Sequence, residues 1–179
     1  MSVQSQIAHL QSITKKFEAA FQGLDAEKLN AKPAPDVWSI AQNIDHLIQT
    51  NASYFPVIEA VRAGTYKRHF LAKIPFIVRL FGKLILNSVK PDSKQKIKTF
   101  PVFEPSQSTL GGDILEKFVR HQTELAELIR ASEDLIAAKT VIASPANEKI
   151  VYYLETAFEI MIWHEERHFL QAQALLASK

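Results

Sequence analysis

The 179-residue chain contains no cysteine. Disulfides, thiolate-bound zinc, iron–sulfur clusters and thiol nucleophiles are thereby excluded together. The same absence fits a reducing compartment. Glycine is scarce, at five residues, and the eight prolines gather between apolar stretches, which favours long helices over a turn-rich β fold. Long hydrophobic runs are missing too. The most apolar stretch, residues 74–86, is too short to span a bilayer and carries Arg79 and Lys83. Residues 1–11 lack the basic start and apolar core of an export signal. A soluble, cytoplasmic protein without a membrane span is expected.

Apolar residues make up 47% and charged residues 22%, so the chain has enough apolar surface to fold, and the length suits one well-buried domain over residues 1–179. The net charge of +2 conceals an asymmetry. Residues 65–100 hold nine of the 21 basic side chains (Lys67, Arg68, Lys73, Arg79, Lys83, Lys90, Lys94, Lys96 and Lys98) against one acid, Asp92. That segment is +8 and the remainder −6. Such a run is often only a solvated face, but its local field can attract a small anion. No nucleic-acid partner is expected.

Four segments carry helical periodicity. Val3, Ile7, Leu10, Phe17, Phe21 and Leu24 form one apolar stripe, ended by Gly23. Ser39 followed by Gln42 reads as a capping box opening a second helix, with a break near Phe55 imposed by Pro56 and an end at Gly64. Asp113 caps a third, whose stripe is Ile114, Phe118, His121, Leu125 and Leu128. The fourth is expected over residues 148–177, after a brief β-branched stretch at residues 140–142. Between the second and third lies a long basic insert, residues 65–110, with a short helix over residues 73–88. Four long helices with one long crossover predict an all-α, antiparallel four-helix bundle. The insert carries apolar residues on too many sides for a simple surface helix, and is expected to form a lid across the mouth of a pocket.

The main chemical signal is His164-Glu165-Glu166-Arg167-His168. Two histidines four apart lie one turn apart on one helix face and can reach a single metal ion. The string also matches the H-E-x-x-H pattern of zinc peptidases. Those enzymes usually take a third ligand downstream of the motif, and residues 169–179 hold no His, Asp or Glu. A di-iron bundle needs two Glu-x-x-His units, and Glu165–His168 is the only one in the sequence. The third ligand must come from upstream. His46, two turns into the second helix, meets the late pair if the second and fourth helices run antiparallel. Three neutral imidazoles with an open position describe a catalytic-type site for zinc, nickel or iron. His9 falls off its apolar stripe and reads as a surface residue, His69 sits in the basic segment, and His121 reads as a core or rim residue.

The run Trp38-Ser39-Ile40-Ala41-Gln42-Asn43-Ile44-Asp45-His46-Leu47, the spacing His164-x-x-x-His168-x-x-Gln171 and the Phe103-Glu104-Pro105 loop together resemble the DinB-like superfamily over essentially the whole chain. The resemblance implies a four-helix bundle, frequently a homodimer, with His46, His164 and His168 as ligands of a divalent metal. Relatives include S-transferases using bacillithiol or mycothiol, a maleylpyruvate isomerase and metal-dependent hydrolases. The long basic insert departs from the compact members.

Two functional readings follow. In an enzyme of S-transferase or hydrolase type, an activated water or thiol attacks an electrophile. Glu165 is the candidate general base, and Gln171 the candidate partner that orients an imidazole. The expected partners are a small, anionic substrate or a low-molecular-weight thiol. In the alternative, the same bundle is a non-catalytic metal-binding, sensor or interaction module.

Overall fold

The computed structural model describes residues 1–93, 99–106 and 109–177. Its helices are α1 (Val3–Phe21), α2 (Ala26–Asn30), α3 (Ile40–Ala52), α4 (Phe55–Arg62), α5 (Pro75–Val89), α6 (Ile114–Ala131), α7 (Glu133–Ala137) and α8 (Leu154–Ala174). Two strands, β1 (Val141–Ser144) and β2 (Asn147–Tyr153), form an antiparallel hairpin immediately before α8.

Local chemistry explains the boundaries. The Ser2 hydroxyl accepts from the Ser5 amide at the start of α1, and Gly23 at φ +84° turns the chain away after its end. Ser39 and Gln42 form the expected capping box, with reciprocal bonds of 3.1 and 3.2 Å. The helical path is interrupted at Ser53 and Tyr54. Pro56 then sits in the first turn of α4, where its missing N–H costs no intrahelical bond. Asp113 does not cap α6 with its side chain; its carboxylate pairs with Lys117 at 3.1 Å.

The expectation of an all-α fold with a last helix from residue 148 is corrected here. The chain is mostly helical, but Ile142 pairs with Tyr152 and Val141 with Tyr153 in the hairpin. Residues 150–153 are β-branched and aromatic, and the β-branched residues 140–142 lie within hairpin reach of them. The helix therefore starts six residues late, at Leu154.

Helix α1 packs on α6 and α8, and α3 packs on the same two from the other side. Phe17, Phe21, Phe118, Phe158 and Phe169 fill the space between them; the Phe17 ring lies 4.6 Å from Phe118 and 5.3 Å from Phe169. Contacts between α3 and α8 run in opposite senses, Asn43 meeting His168 and the later His46 meeting the earlier His164, so the two helices are antiparallel; the same order continues beyond them, where Tyr54 after α3 meets Tyr152 of β2. Helix α5, from the basic segment of residues 65–100, packs on β2 and α8. Gly82 permits this approach: a Cβ there would lie 3.2 Å from Thr156 Cγ2 and 3.4 Å from Tyr152 Cβ. The outer face of α5 stays exposed and carries Phe76, Leu80 and Leu84 together with Arg79 and Lys83.

Candidate metal centre

Helices α3 and α8 bring His46, His164 and His168 together across their antiparallel seam. Nε2 of His164 lies 3.3 Å from Nε2 of His46 and 3.0 Å from Nε2 of His168. The three potential ligand atoms lie within 4.8 Å of one another.

Neighbouring groups set the tautomers. His46 Nδ1 donates to the Phe103 carbonyl at 2.6 Å, and His168 Nδ1 donates to Asn43 Oδ1 at 2.8 Å. With the proton on Nδ1, the Nε2 of each ring is a bare lone pair. Both lone pairs face His164 Nε2, whose single proton could satisfy only one of them. A cation satisfies them all. Burial pushes the imidazoles below their ordinary range: His46 is lowered against the opposing bond to Phe103, and His168 falls well below. His164 is lowered to about 3 by burial, with further repulsion from His46 and Arg167. The cluster is therefore neutral at physiological pH and its donor set fits a borderline divalent metal.

The segment before His46 builds this arrangement. Ser39 opens α3, and its carbonyl accepts from Asn43 Nδ2 at 2.9 Å, which turns Asn43 Oδ1 toward His168. Asp45 Oδ2 accepts from the Ser106 amide at 3.0 Å, and Gln42 Nε2 donates to the Ser106 carbonyl at 3.0 Å. These two bonds tie residues 103–106 to α3 and deliver the Phe103 carbonyl to His46. Trp38 stacks on His168 at 5.8 Å and 16°, and lies 4.9 Å from the His46 ring.

The other sequence candidates lie elsewhere. Glu165 is fully buried and turned into the core. Its Oε1 accepts from Asn51 Nδ2 at 2.7 Å and Gln122 Nε2 at 2.8 Å, and burial raises its carboxyl to about 8. It is not among the side chains lining the cleft beside the histidines. Gln171 does line that cleft, but makes no hydrogen bond to an imidazole among the described residues. His9 is only partly exposed, 3.5 Å from Glu166 and edge-on to Trp163. His69 Nδ1 accepts from the Leu71 amide. His121 is buried and stacked on Phe55 at 5.5 Å. Asn43 and Phe103 stand in the segments that carry the family resemblance, but their contacts with the imidazoles are not legible there. An Asn three residues before a candidate ligand is a weak signal, and a backbone carbonyl leaves none.

A cleft of about 810 Å³ opens beside the cluster. Its walls include Ile85 and Val89 of α5, Phe100 and Phe103, and Ile150, Ile160 and Leu175. The basic segment thus contributes a wall next to the histidines. Of its basic side chains, Lys67, Arg68, Lys73, Arg79, Lys83 and Lys90 do not line the cleft, and Lys94, Lys96 and Lys98 fall outside the described residues. Arg167 of α8 does line it, and donates to the Ser88 carbonyl at 3.0 Å near the C-terminal end of α5. That bond fixes α5 against α8.

A mostly helical protein with a buried three-histidine cluster at the head of an apolar cleft is the class these observations define. The model of the DinB superfamily matches residues 9–172, and the chain belongs to that superfamily. No curated protein and no solved structure matches it. None of its described helices is long and apolar enough to cross a membrane.

Proposed function

We propose that the protein is a metal-dependent enzyme of S-transferase or hydrolase type, working through a divalent ion held by His46, His164 and His168. One observation supports this above the others. Two Nε2 lone pairs, bared by the Nδ1 bonds to Phe103 and Asn43, converge on a third imidazole beside a cleft large enough for a small molecule. The adjacent cleft favours catalysis over a closed structural site.

Zinc, nickel or iron suits three imidazoles, and such an ion supplies Lewis acidity for activating a water or thiol nucleophile near neutral pH. The chain's own part is positional. Asn43 and the Phe103 carbonyl hold two imidazoles in the ligating tautomer, Trp38 covers them, and the apolar walls keep water from a bound electrophile. In this reading Glu165 keeps α8 in register through Asn51 and Gln122 and takes no proton from the substrate. Helices α1, α3, α6 and α8 form the antiparallel four-helix bundle of a single domain, with residues 65–110 inserted between its second and third helices. The homodimer implied by the resemblance belongs to the same reading, and a monomer mass by light scattering at micromolar protein would remove it.

The deciding experiment is elemental analysis of reconstituted protein, followed by assay against activated esters and electrophile–thiol pairs. Support is one divalent ion per chain, with turnover lost on chelation. A metal-free protein after reconstitution overturns the site. A metal-loaded protein inert toward the whole panel favours the non-catalytic module.

A further inference from the structure

His46, Thr50 and Tyr54 are spaced four residues apart and all line the cleft. They form a line of polar groups along one side of α3 and its continuation into α4, about 12 Å from first to last at 1.5 Å per residue. The far end is a hydroxyl cluster. Tyr54 Oη lies 2.6 Å from Tyr152 Oη, and the Ser144 hydroxyl, which accepts from the Ala146 amide at 3.3 Å, lies beside the pair. All three residues line the cleft. Midway, the buried Thr50 hydroxyl has no hydrogen-bond partner among the described residues.

A hydroxyl pair has a directional consequence. When one phenol donates to the other, the acceptor's own proton remains available for Ser144 or for a group in the cleft, and the bond it already accepts makes it a stronger donor. Burial holds both phenols protonated, with Tyr152 pushed up to about 12. A fully buried site of this kind penalises a bare anion and suits a neutral acceptor. Apolar surface predominates in the cleft, with imidazoles at one end, hydroxyl donors at the other and Thr50 between them.

We propose that Tyr54 and Tyr152, with Thr50 along the way, form a second binding point that takes a neutral carbonyl at the far end of an elongated, apolar substrate whose reacting end faces the histidines. The inference rests on the functional reading above for the word substrate, but the hydroxyl site itself needs no metal.

The test uses metal-free and zinc-loaded protein with two probes of similar shape, 4-phenylbutan-2-one and n-butylbenzene. Affinity is followed by NMR titration, and the bound ketone's carbonyl stretch by infrared spectroscopy. A carbonyl moved from water into an apolar cleft without a donor loses affinity relative to the hydrocarbon. Metal-free wild type is therefore expected to bind the ketone with its stretch shifted to lower wavenumber than in hexane, and to prefer butylbenzene by less than partition between water and hexane does. The double variant Tyr54→Phe/Tyr152→Phe should lose about tenfold in ketone affinity, the worth of one hydrogen bond, while butylbenzene binding is unchanged. An unshifted stretch in the wild type overturns the proposal without recourse to any variant. So does a folded double variant that retains both the shift and the affinity. Failure of the protein to bind zinc would remove the enzymatic reading and leave the metal-free comparison intact.

Discussion

His168 Nδ1 lies 2.8 Å from Asn43 Oδ1, and the amide of Asn43 is in turn anchored 2.9 Å from the Ser39 carbonyl. A helix-capping residue thus fixes the orientation of an amide, which fixes the tautomer of an imidazole on another helix. Replacing Asn43 with alanine removes that restraint and leaves His168 buried with an unpaired donor. Zinc affinity is expected to fall 10–100-fold, roughly the usual cost of losing an imidazole's outer partner. Competition titration against a chromophoric chelator measures it, and an unchanged affinity would show that Asn43 does not hold the ligand.

His164 lies between the other two imidazoles, at 3.3 and 3.0 Å. His164→Ala is expected to abolish retention of the divalent ion through desalting, read by elemental analysis. Metal retained at one ion per chain would sink the three-histidine assignment.

Removing the ion should leave the fold standing. The core of Phe17, Phe21, Phe118, Phe158 and Phe169 is buried independently of the cluster. Unlike a zinc finger, a domain of this size does not need metal to bury its core. Chelated protein is expected to keep its helical circular dichroism and to melt cooperatively at a lower temperature. Loss of most of the ellipticity on chelation would contradict this.

Glu165 offers a discriminating pair of variants. Glu165→Gln keeps an oxygen for the Asn51 and Gln122 amides, whereas Glu165→Ala leaves two buried donors unpaired. The alanine variant should cost about 2–4 kcal/mol by denaturant unfolding and the glutamine variant less than about 1 kcal/mol. A Glu165→Gln protein that binds metal normally but turns over nothing would return Glu165 to the role of general base.

His121 predicts a pH dependence. Burial lowers its pKa below the ordinary imidazole value of 6.5. The folded state therefore binds fewer protons than the unfolded state once pH drops below about 6.5, and stability declines from there downward, by at most about 1.4 kcal/mol per pH unit. His121→Phe, beside the Phe55 ring, should reduce the slope of the metal-free protein's stability between pH 6.5 and 5, the remaining slope coming from the buried His46, His164 and His168. An identical slope in the variant would assign the acid sensitivity elsewhere.

Much of this protein is written in local pattern. The stripe of α1, the Ser39–Gln42 capping box and the four-residue spacing of His164 and His168 depend on neighbours in sequence, so the chain alone carried them. His46 was also reachable, because antiparallel helices place the start of one beside the end of the other. The hairpin was harder. Residues 147–153 become a strand because residues 141–144 lie against them, a pairing that helical periodicity does not register. Three further features were decided only by tertiary structure: the Phe103 carbonyl on His46, the inward turn of Glu165 toward Asn51 and Gln122, and the meeting of Tyr54 with Tyr152. Each joins groups 43 to 114 residues apart in the chain. Sequence spacing sets which face of a helix a side chain occupies, but its partner across the seam is set by how the helices pack.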